Sequence, residues 1–370
     1  MHRQTFLIVF VLSFVYGQDR KINSQLNPGC DTCTSDQTLV YVQAYGSKDT
    51  IHQVWDFTRG PPTIIYAITS LNSSLSIKWD EATPVKFTFT EPPKYSFAAA
   101  IDQIYEYDDI KDIGHFDTSS PQRAHTLKHM SWRLNDSVLT DKEAKVVLQG
   151  RYRNDWSSGI VNIKLDILPF KDYATDLPHL IHTANSTLVD LSLVNLTTSH
   201  DFNSSRFALH FILVSTDSET DTMRYTMRKS LDDEHTPGVF EIVEIKTPES
   251  YRNGDGGFIQ YRPVAYTAPK RDVSSSTNTH ISTFNNTNLP IRSTLNVFYR
   301  GYLQNNLLSQ EMFMSFGYGA PPVEGFSLFV IIIISVGLGV PVLLALSGVV
   351  YVVARRLKQT NARTRLANEE

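Results

Sequence analysis

Cysteine is almost missing: the 370 residues hold only Cys30 and Cys33, in the stretch NPGCDTCTS. A secreted domain held by disulfides uses far more, so the core of this chain has to be held by packing. The CxxC spacing is shared with thiol oxidoreductases, but those place it between a strand and a helix. This pair instead follows a Pro-Gly near the N-terminus, and a local or intermolecular disulfide is favoured over a redox centre. Without a second CxxC a structural zinc site is unsupported. No glycine-rich phosphate loop, G-x-S-x-G elbow or H-E-x-x-H motif occurs, which removes the commonest signatures of nucleotide, serine-hydrolase and zinc-protease chemistry. His125-x-x-x-His129 has a helical ligand spacing but lacks the glutamate between, so a surface or turn role is favoured. A lone His210 in the strand-like FALHFIL suits a hydrogen-bonded core or groove residue. No catalytic, cofactor-binding or metal-binding residue is therefore expected.

What is present begins at the two ends. MHRQTFLIVFVLSFVYGQDRK carries a basic residue, an apolar run from Phe6 to Val15 and a small-residue pattern at Val15-Tyr16-Gly17, which predicts a signal peptide over 1–17. The thirty residues from Gly325 to Ala354 contain no charge, and about 20 apolar residues suffice to cross a bilayer. Arg355, Arg356, Lys358, Arg363 and Arg365 crowd the far flank, so the residues 355–370 are expected in the cytosol. The prediction is a single-pass type I membrane protein with a lumenal domain over 18–324, a transmembrane helix over 325–354 and a short tail unable to fold alone. Six Asn-x-Ser/Thr sequons, at Asn72, Asn135, Asn185, Asn195, Asn203 and Asn285, all fall in the expected lumenal part. Most are expected to carry glycans. Within the span, Ser335, Gly337 and Gly339 offer a small-residue surface on which another helix can pack.

Strand signals dominate the lumenal part. VKFTFTE at 85–91 alternates Val85, Phe87 and Phe89 with Lys86, Thr88 and Thr90; VNIKLDIL at 161–168 alternates Val161, Ile163, Leu165 and Ile167 with Asn162, Lys164 and Asp166. TLVYVQAYG, PTIIYAITS, SLSIKWD, AKVVLQGRY, TLVDLSLVNLT, RFALHFILVST and STLNVFYRGYL add further strands. The fold expected is mainly β, one or two β-sandwiches. SFAAAIDQIYEYDDI around 96–110 suits a helix or a strand equally. The strands are interrupted near 170–180, a weak boundary candidate, and the Ser/Thr/Asn-rich 270–290 suits an exposed loop.

SLDDEHTPGVF at 230–240 sets Asp232, Asp233, Glu234 and His235 side by side. Neighbouring residues on an extended chain point to alternate sides, and the run lacks the spaced D-x-D-x-D-G pattern of a calcium loop. A charged turn bridging to Arg228 or Lys229 is favoured over a calcium-type site, with catalysis last.

That run, continued as SLDDEHTPGVFEI and followed by GFIQYRPVAY at 257–266, resembles the glycosylated lysosomal membrane protein family. The similarity extends through His52-x-Val54-Trp55 with Gly60-Pro61, NSSLSIKW at 72–79, LIHTA at 180–184 and GAPPVEG at 319–325. The resemblance implies a β-rich, heavily glycosylated lysosomal protein that is an accessory subunit and not an enzyme. It would bind a multi-spanning lysosomal transporter of the major facilitator superfamily, a dipeptide exporter, and protect it from proteolysis. Membrane lipid is the other expected partner, nucleic acid and cofactors are not expected, and a homo-oligomer is left open. Two features depart from the family: its further lumenal cysteines are missing, and RRLKQTNARTRLANEE has neither the family's tyrosine signal nor a dileucine. The address is then expected to come from the bound transporter. A cell-surface adhesion or ligand-binding receptor with a β-sandwich ectodomain is the alternative.

Overall fold

The computed structural model describes residues 20–110, 121–152, 159–167, 185–217, 222–229, 241–261, 265–266, 291–298, 302–304, 307–321 and 328–367. The predicted signal peptide, the LIHTA block, the acidic run at 232–235 and the 270–290 segment with Asn285 lie outside these residues.

In chain order the first strands are β1 (Lys21–Leu26), β2 (Leu39–Tyr45), β3 (Thr50–Asp56), β4 (Thr63–Thr69), β5 (Leu75–Asp80), β6 (Thr83–Phe89) and β7 (Tyr95–Asp108). After them come β8 (Gln122–Thr126), a 3-10 turn at Leu127–His129, β9 (Met130–Leu139), β10 (Ala144–Tyr152), β11 (Ile160–Ile167), β12 (Ser186–Thr197) and β13 (Ser205–Ser215). The remainder are β14 (Arg224–Lys229), β15 (Glu241–Lys246), the short helix α1 (Pro248–Asn253), β16 (Gly257–Tyr261), β17 (Ala265–Tyr266), β18 (Ile291–Phe298), β19 (Tyr302–Gln304), β20 (Leu307–Tyr318) and the helix α2 (Leu328–Ala367). The strands that alternation predicts are present, and the ambiguous 96–110 stretch is the strand β7. The strands on either side of the interruption at 170–180, β11 and β12, pair with each other.

Two nine-stranded sheets form among the described residues. Sheet I runs β1-β2-β3-β4-β7-β13-β18-β17 with β8 also on β7; sheet II runs β14-β15-β16-β20-β12-β11-β10-β9 with β19 also on β20. Both are built alike. The fourteen-residue β7 gives one edge to β4 along Tyr95–Ala100 and then to β8 along Gln103–Tyr107, while β13 follows its whole other edge. In sheet II, β20 likewise shares one edge between β19 and β16 and gives the other to β12.

One apolar core lies between the sheets, so the domain is a single sandwich. From sheet I it takes Val40, Trp55, Tyr66 and Phe211, and from sheet II Val146, Ile163, Leu191 and Phe316. Trp55 meets Phe316 edge-on at 5.9 Å between ring centroids, and Phe211 packs on the same ring at 6.1 Å. Each such side chain contributes about 1.5–3 kcal/mol by leaving water. Polar groups inside are paired across the gap: the Tyr66 hydroxyl donates to the Phe316 carbonyl at 2.8 Å, and Thr187 donates to Gln53. The predicted inward set of β11, Val161, Ile163, Leu165 and Ile167, is wholly buried, yet Asp166 on the expected wet face is only 4% exposed.

A second apolar layer covers the outside of sheet I. The hairpin β5-β6 lays Leu75, Ile77, Trp79, Phe87 and Phe89 over Leu39, Tyr41, Val54, Ile65, Ala67, Ala98 and Ala100. This sandwiching explains why β3 and β4 contain no exposed residue. The small Ala98 and Ala100 let the hairpin approach, and Ala99 points the other way into the main core. The expected Val85, Phe87, Phe89 face is broken at its first member: a bulge opposite Lys78 and Trp79 turns Val85 outward at 37% exposure.

The chain crosses from sheet I to sheet II through the turn Leu127–His129, and this corner is tightly closed. Trp132 of β9 donates from Nε1 to the Gly60 carbonyl at 2.6 Å and meets Phe57 edge-on at 5.6 Å. A methyl group at Gly60 would fall 1.9 Å from the Leu127 carbonyl oxygen. Two compact units are distinguished, one holding residues 1–230 and 240–323 and the other 231–239 and 324–370. The described part of the second is α2. Its 40 residues extend about 60 Å at 1.5 Å each. The apolar window Ile331–Gln359 falls inside it, and the helix continues past the expected limit of 354 because propagating an existing helix needs no new nucleus. The tail is thus helical to Ala367 without a fold of its own.

Gly60→Ala and Trp132→Phe should each destabilise the chain: overpacking against backbone costs about 1–3 kcal/mol, and a buried Gly60 carbonyl left unpaired costs about 1–3 kcal/mol. Denaturant midpoints of the two variants check this, and a midpoint equal to wild type in either would contradict the tight closure of the corner.

Candidate functional site

Several chemistry-bearing side chains among the described residues have structural partners. Among the described residues no group of three or more His, Cys, Asp or Glu is placed to hold a metal ion. His125 lies at the end of β8 with its Nε2 3.8 Å from Glu106, while His129 is exposed in the turn beyond, so strand geometry separates the two. Burial alone would raise the Glu106 pKa, but the His125 imidazole beside it, the Ser199 N–H at 2.5 Å and the Ser205 hydroxyl at 2.9 Å together bring it below the usual value. His210 Nδ1 lies 2.5 Å from Asp102, with the Tyr105 ring edge-on to it.

Among the described histidines His52 is the most perturbed. It stands on the outward face of β3, 1% exposed, between sheet I and the β5-β6 hairpin. Its Nδ1 is 2.7 Å from the Tyr41 hydroxyl, its Nε2 is 2.9 Å from Thr69 Oγ1, and the Phe89 ring lies edge-on at 5.1 Å. Burial in this apolar layer pushes its pKa down to about 4. Trp55, three residues on, faces the opposite side and enters the main core.

The sequon asparagines within the described residues lie on several parts of the sandwich surface. Asn72 is exposed in the β4-β5 connection and Asn203 is exposed just before β13. Asn135 and Asn195 both occupy register shifts: Asn135 is the extra residue of β9 opposite Val147 and Leu148, and Asn195 is extra in β12 with φ +53°. A bulge bends the strand and turns its extra side chain away from the ladder, and both residues are exposed. Asn185 is only half-exposed, and its Oδ1 accepts from Arg20 Nε at 2.6 Å.

Arg20 is a residue that sequence patterning did not single out. Its side chain is 3% exposed, yet it is paired with Asp49 at 2.6 Å and donates also to Asn185 and the Ala44 carbonyl. A buried charge has to be compensated in this way. The one signal for it was its place three residues after the expected cleavage point. Cys30 and Cys33 are joined in the β1-β2 connection, with Cα atoms 5.7 Å apart. That loop is fixed on one side by Trp79, which donates to the Pro28 carbonyl at 2.9 Å, and on the other by Leu134 N–H donating to the Ser35 carbonyl. In α2, a methyl group at Gly337 or Gly339 would meet nothing within 4 Å, and Ser335 is exposed.

The model of the glycosylated lysosomal membrane protein family matches residues 38–318 and 312–359. The chain belongs to this family. Relatives named glycosylated lysosomal membrane protein include one from Danio rerio, 28% identical over 93% of this chain and 91% of its own length. One from Homo sapiens is 25% identical over 84% and 82%, and form A from Xenopus laevis is 26% identical over 92% and 91%. The family blocks quoted from the sequence fall on structural joints: His52 and Trp55 on the two faces of β3, Gly60 at the sheet-crossing corner, SLSIKW in the covering hairpin and GFIQY as β16.

In this family member His52 ties stability to acidity. The folded state keeps the imidazole neutral down to about pH 4, whereas an unfolded histidine takes up its proton near 6.5. The contribution of His52 is therefore full above pH 6.5 and is lost as pH falls from 6.5 to about 4, up to about 3 kcal/mol in total. Urea midpoints of the full chain in detergent should fall over that window, and His52→Gln should flatten the slope by one proton. An unchanged slope in the variant would assign the acid sensitivity elsewhere.

Proposed function

We propose that this chain is a non-catalytic accessory subunit in the lysosomal membrane, binding a multi-spanning transporter of the major facilitator superfamily and shielding it from lysosomal proteases. The observation that carries the proposal is the placement of the sequons. Asn72, Asn135, Asn195 and Asn203 are all exposed, two of them on strands of sheet II, β9 and β12, and two in the β4-β5 and β12-β13 connections. With oligosaccharides there, and on Asn185 and Asn285, the sandwich is a bulky hydrophilic cover. A transporter with short lumenal loops has little cover of its own, and a glycan-coated neighbour excludes proteases sterically. Family membership supports a lysosomal membrane setting, and α2 is long and apolar enough to anchor the domain there. The basic residues after Ala354 favour a lumenal sandwich and a cytosolic tail. The substrate class, dipeptides, rests on the family resemblance.

Co-purification from lysosomal membranes tests the reading directly. A stoichiometric multi-spanning protein should accompany the full chain, and recovery of an extracellular ligand without such a protein would favour a receptor. Ser335 and Gly339, four residues apart, give α2 a small-residue face that packs closely against a second helix, with Gly337 on roughly the opposite side, so Gly339→Leu should lower the recovery of the transporter several-fold. Undiminished recovery would assign recognition to the sandwich.

Occupancy of the sequons makes a separate prediction. Asn→Gln at all six positions should shorten the lysosomal half-life of both the chain and its partner in a pulse-chase measurement. Equal half-lives for the glycosylated and glycan-free forms would refute the shield.

A further inference from the structure

The open end of sheet II carries a sequon, and its surroundings give that sequon a particular task. Among the described residues β9 is the terminal strand in the order of sheet II. Its first half is fixed: Trp132 is buried, and the Ser35 carbonyl caps the edge at Leu134 N–H, 2.9 Å away. From Asn135 to Val138 every residue is exposed, Val138 at 45%. An exposed edge of this kind is a template for another strand, and folded proteins protect it with bulges, charges or a cover. Here the bulge residue is itself the sequon Asn135.

Asn135 also lines a groove of about 430 Å³, together with Asp36, Ser131, Arg133, Gln149 and Arg151. Ser131 pairs with Arg151 and Arg133 with Gln149 across β9 and β10, so these four side chains share the outer face of the sheet. Arg151 donates to Gln149 Oε1 at 3.2 Å, which holds the guanidinium along the groove. Apart from Trp132, the lining side chains are hydrogen-bond donors and acceptors, the chemistry that meets sugar hydroxyl and acetamido groups, and the sequon asparagine is one of them.

We propose that the oligosaccharide linked to Asn135 rests its first sugars in this groove, over the outer face of the capped half of β9, and that its further branches shield the exposed residues 135–138, so that the edge does not take up a strand from a second copy of the chain. The proposal rests on the sequons being occupied. It assigns Asn135 a role distinct from the general shield, because Asn72 and Asn203 sit in connections and not on an edge.

The test uses the full chain from a glycosylating host, in detergent. Site-resolved glycopeptide mass spectrometry first reports occupancy: empty sequons throughout would overturn the shield, whereas an empty Asn135 beside an occupied Asn203 overturns this proposal alone. Peptide N-glycosidase is then applied to the native protein. Release from Asn135 should be slower than from Asn203 on the order of tenfold, the ratio that ~1.4 kcal/mol of seating gives, and the two rates should become equal after denaturation. Asn135→Gln and Ser137→Ala each remove the sequon, and both should show concentration-dependent self-association by light scattering that Asn203→Gln lacks. Adding Val138→Lys, a charge on the same edge, should restore the monodisperse form. Equal native release rates at Asn135 and Asn203, or sequon-less variants that stay monodisperse, would overturn the proposal.

Discussion

Contact between the inner faces of the two sheets has to hold this domain almost without covalent help. The single disulfide closes a four-residue loop and joins no two strands. The load falls on rings such as Trp55, Phe211 and Phe316, packed where the central strands of both sheets face each other. Everything polar that enters this layer arrives with a partner, as Tyr66 and Thr187 do, because an unpaired buried group costs about 1–3 kcal/mol. The shared-edge construction of β7 and β20 serves the same end: one long strand backs two shorter ones, so a break in pairing on one side is bridged on the other.

The hairpin over sheet I makes the architecture asymmetric. It turns two central strands, β3 and β4, into fully enclosed ones and creates the dry layer in which His52 sits. It also braces the disulfide loop through Trp79. That loop in turn caps part of the β9 edge through Ser35. A local sequence feature, SLSIKWD with its partner strand, therefore reaches the far side of the sandwich by a chain of three contacts.

Much of this was legible in the sequence, for identifiable reasons. Strands with one wet face, such as β5 and β11, announce themselves by period two. Enclosed strands do not: β3 reads TIHQVWD, polar and apolar residues without clean alternation, because both faces are covered by different layers. The run Ala98-Ala99-Ala100 left β7 between helix and strand, since alanine favours the helix locally and only the hairpin and core on either side require it to be extended. The bulges at Asn135 and Asn195 were invisible as well, because register is a property of two strands and not of one. The sequons were visible as motifs, while their separation into connection, edge and half-buried sites was not. Arg20 escaped because burial of a charge depends on Asp49 and Asn185, the second of them 165 positions away.

The course of α2 has a mechanical consequence. Pro341 removes one backbone hydrogen bond inside the helix and favours a kink there, but beyond it the helix runs on past the point where its apolar residues give way to Arg355, Arg356 and Lys358. At about 100° per residue, the seven steps from Gly348 to Arg355 bring those two positions within about 20° of each other around the axis. Whatever grips the face of Gly348 therefore also dictates the compass bearing of the first arginine, and a twist imposed on this stretch is delivered to its far end as a rotation.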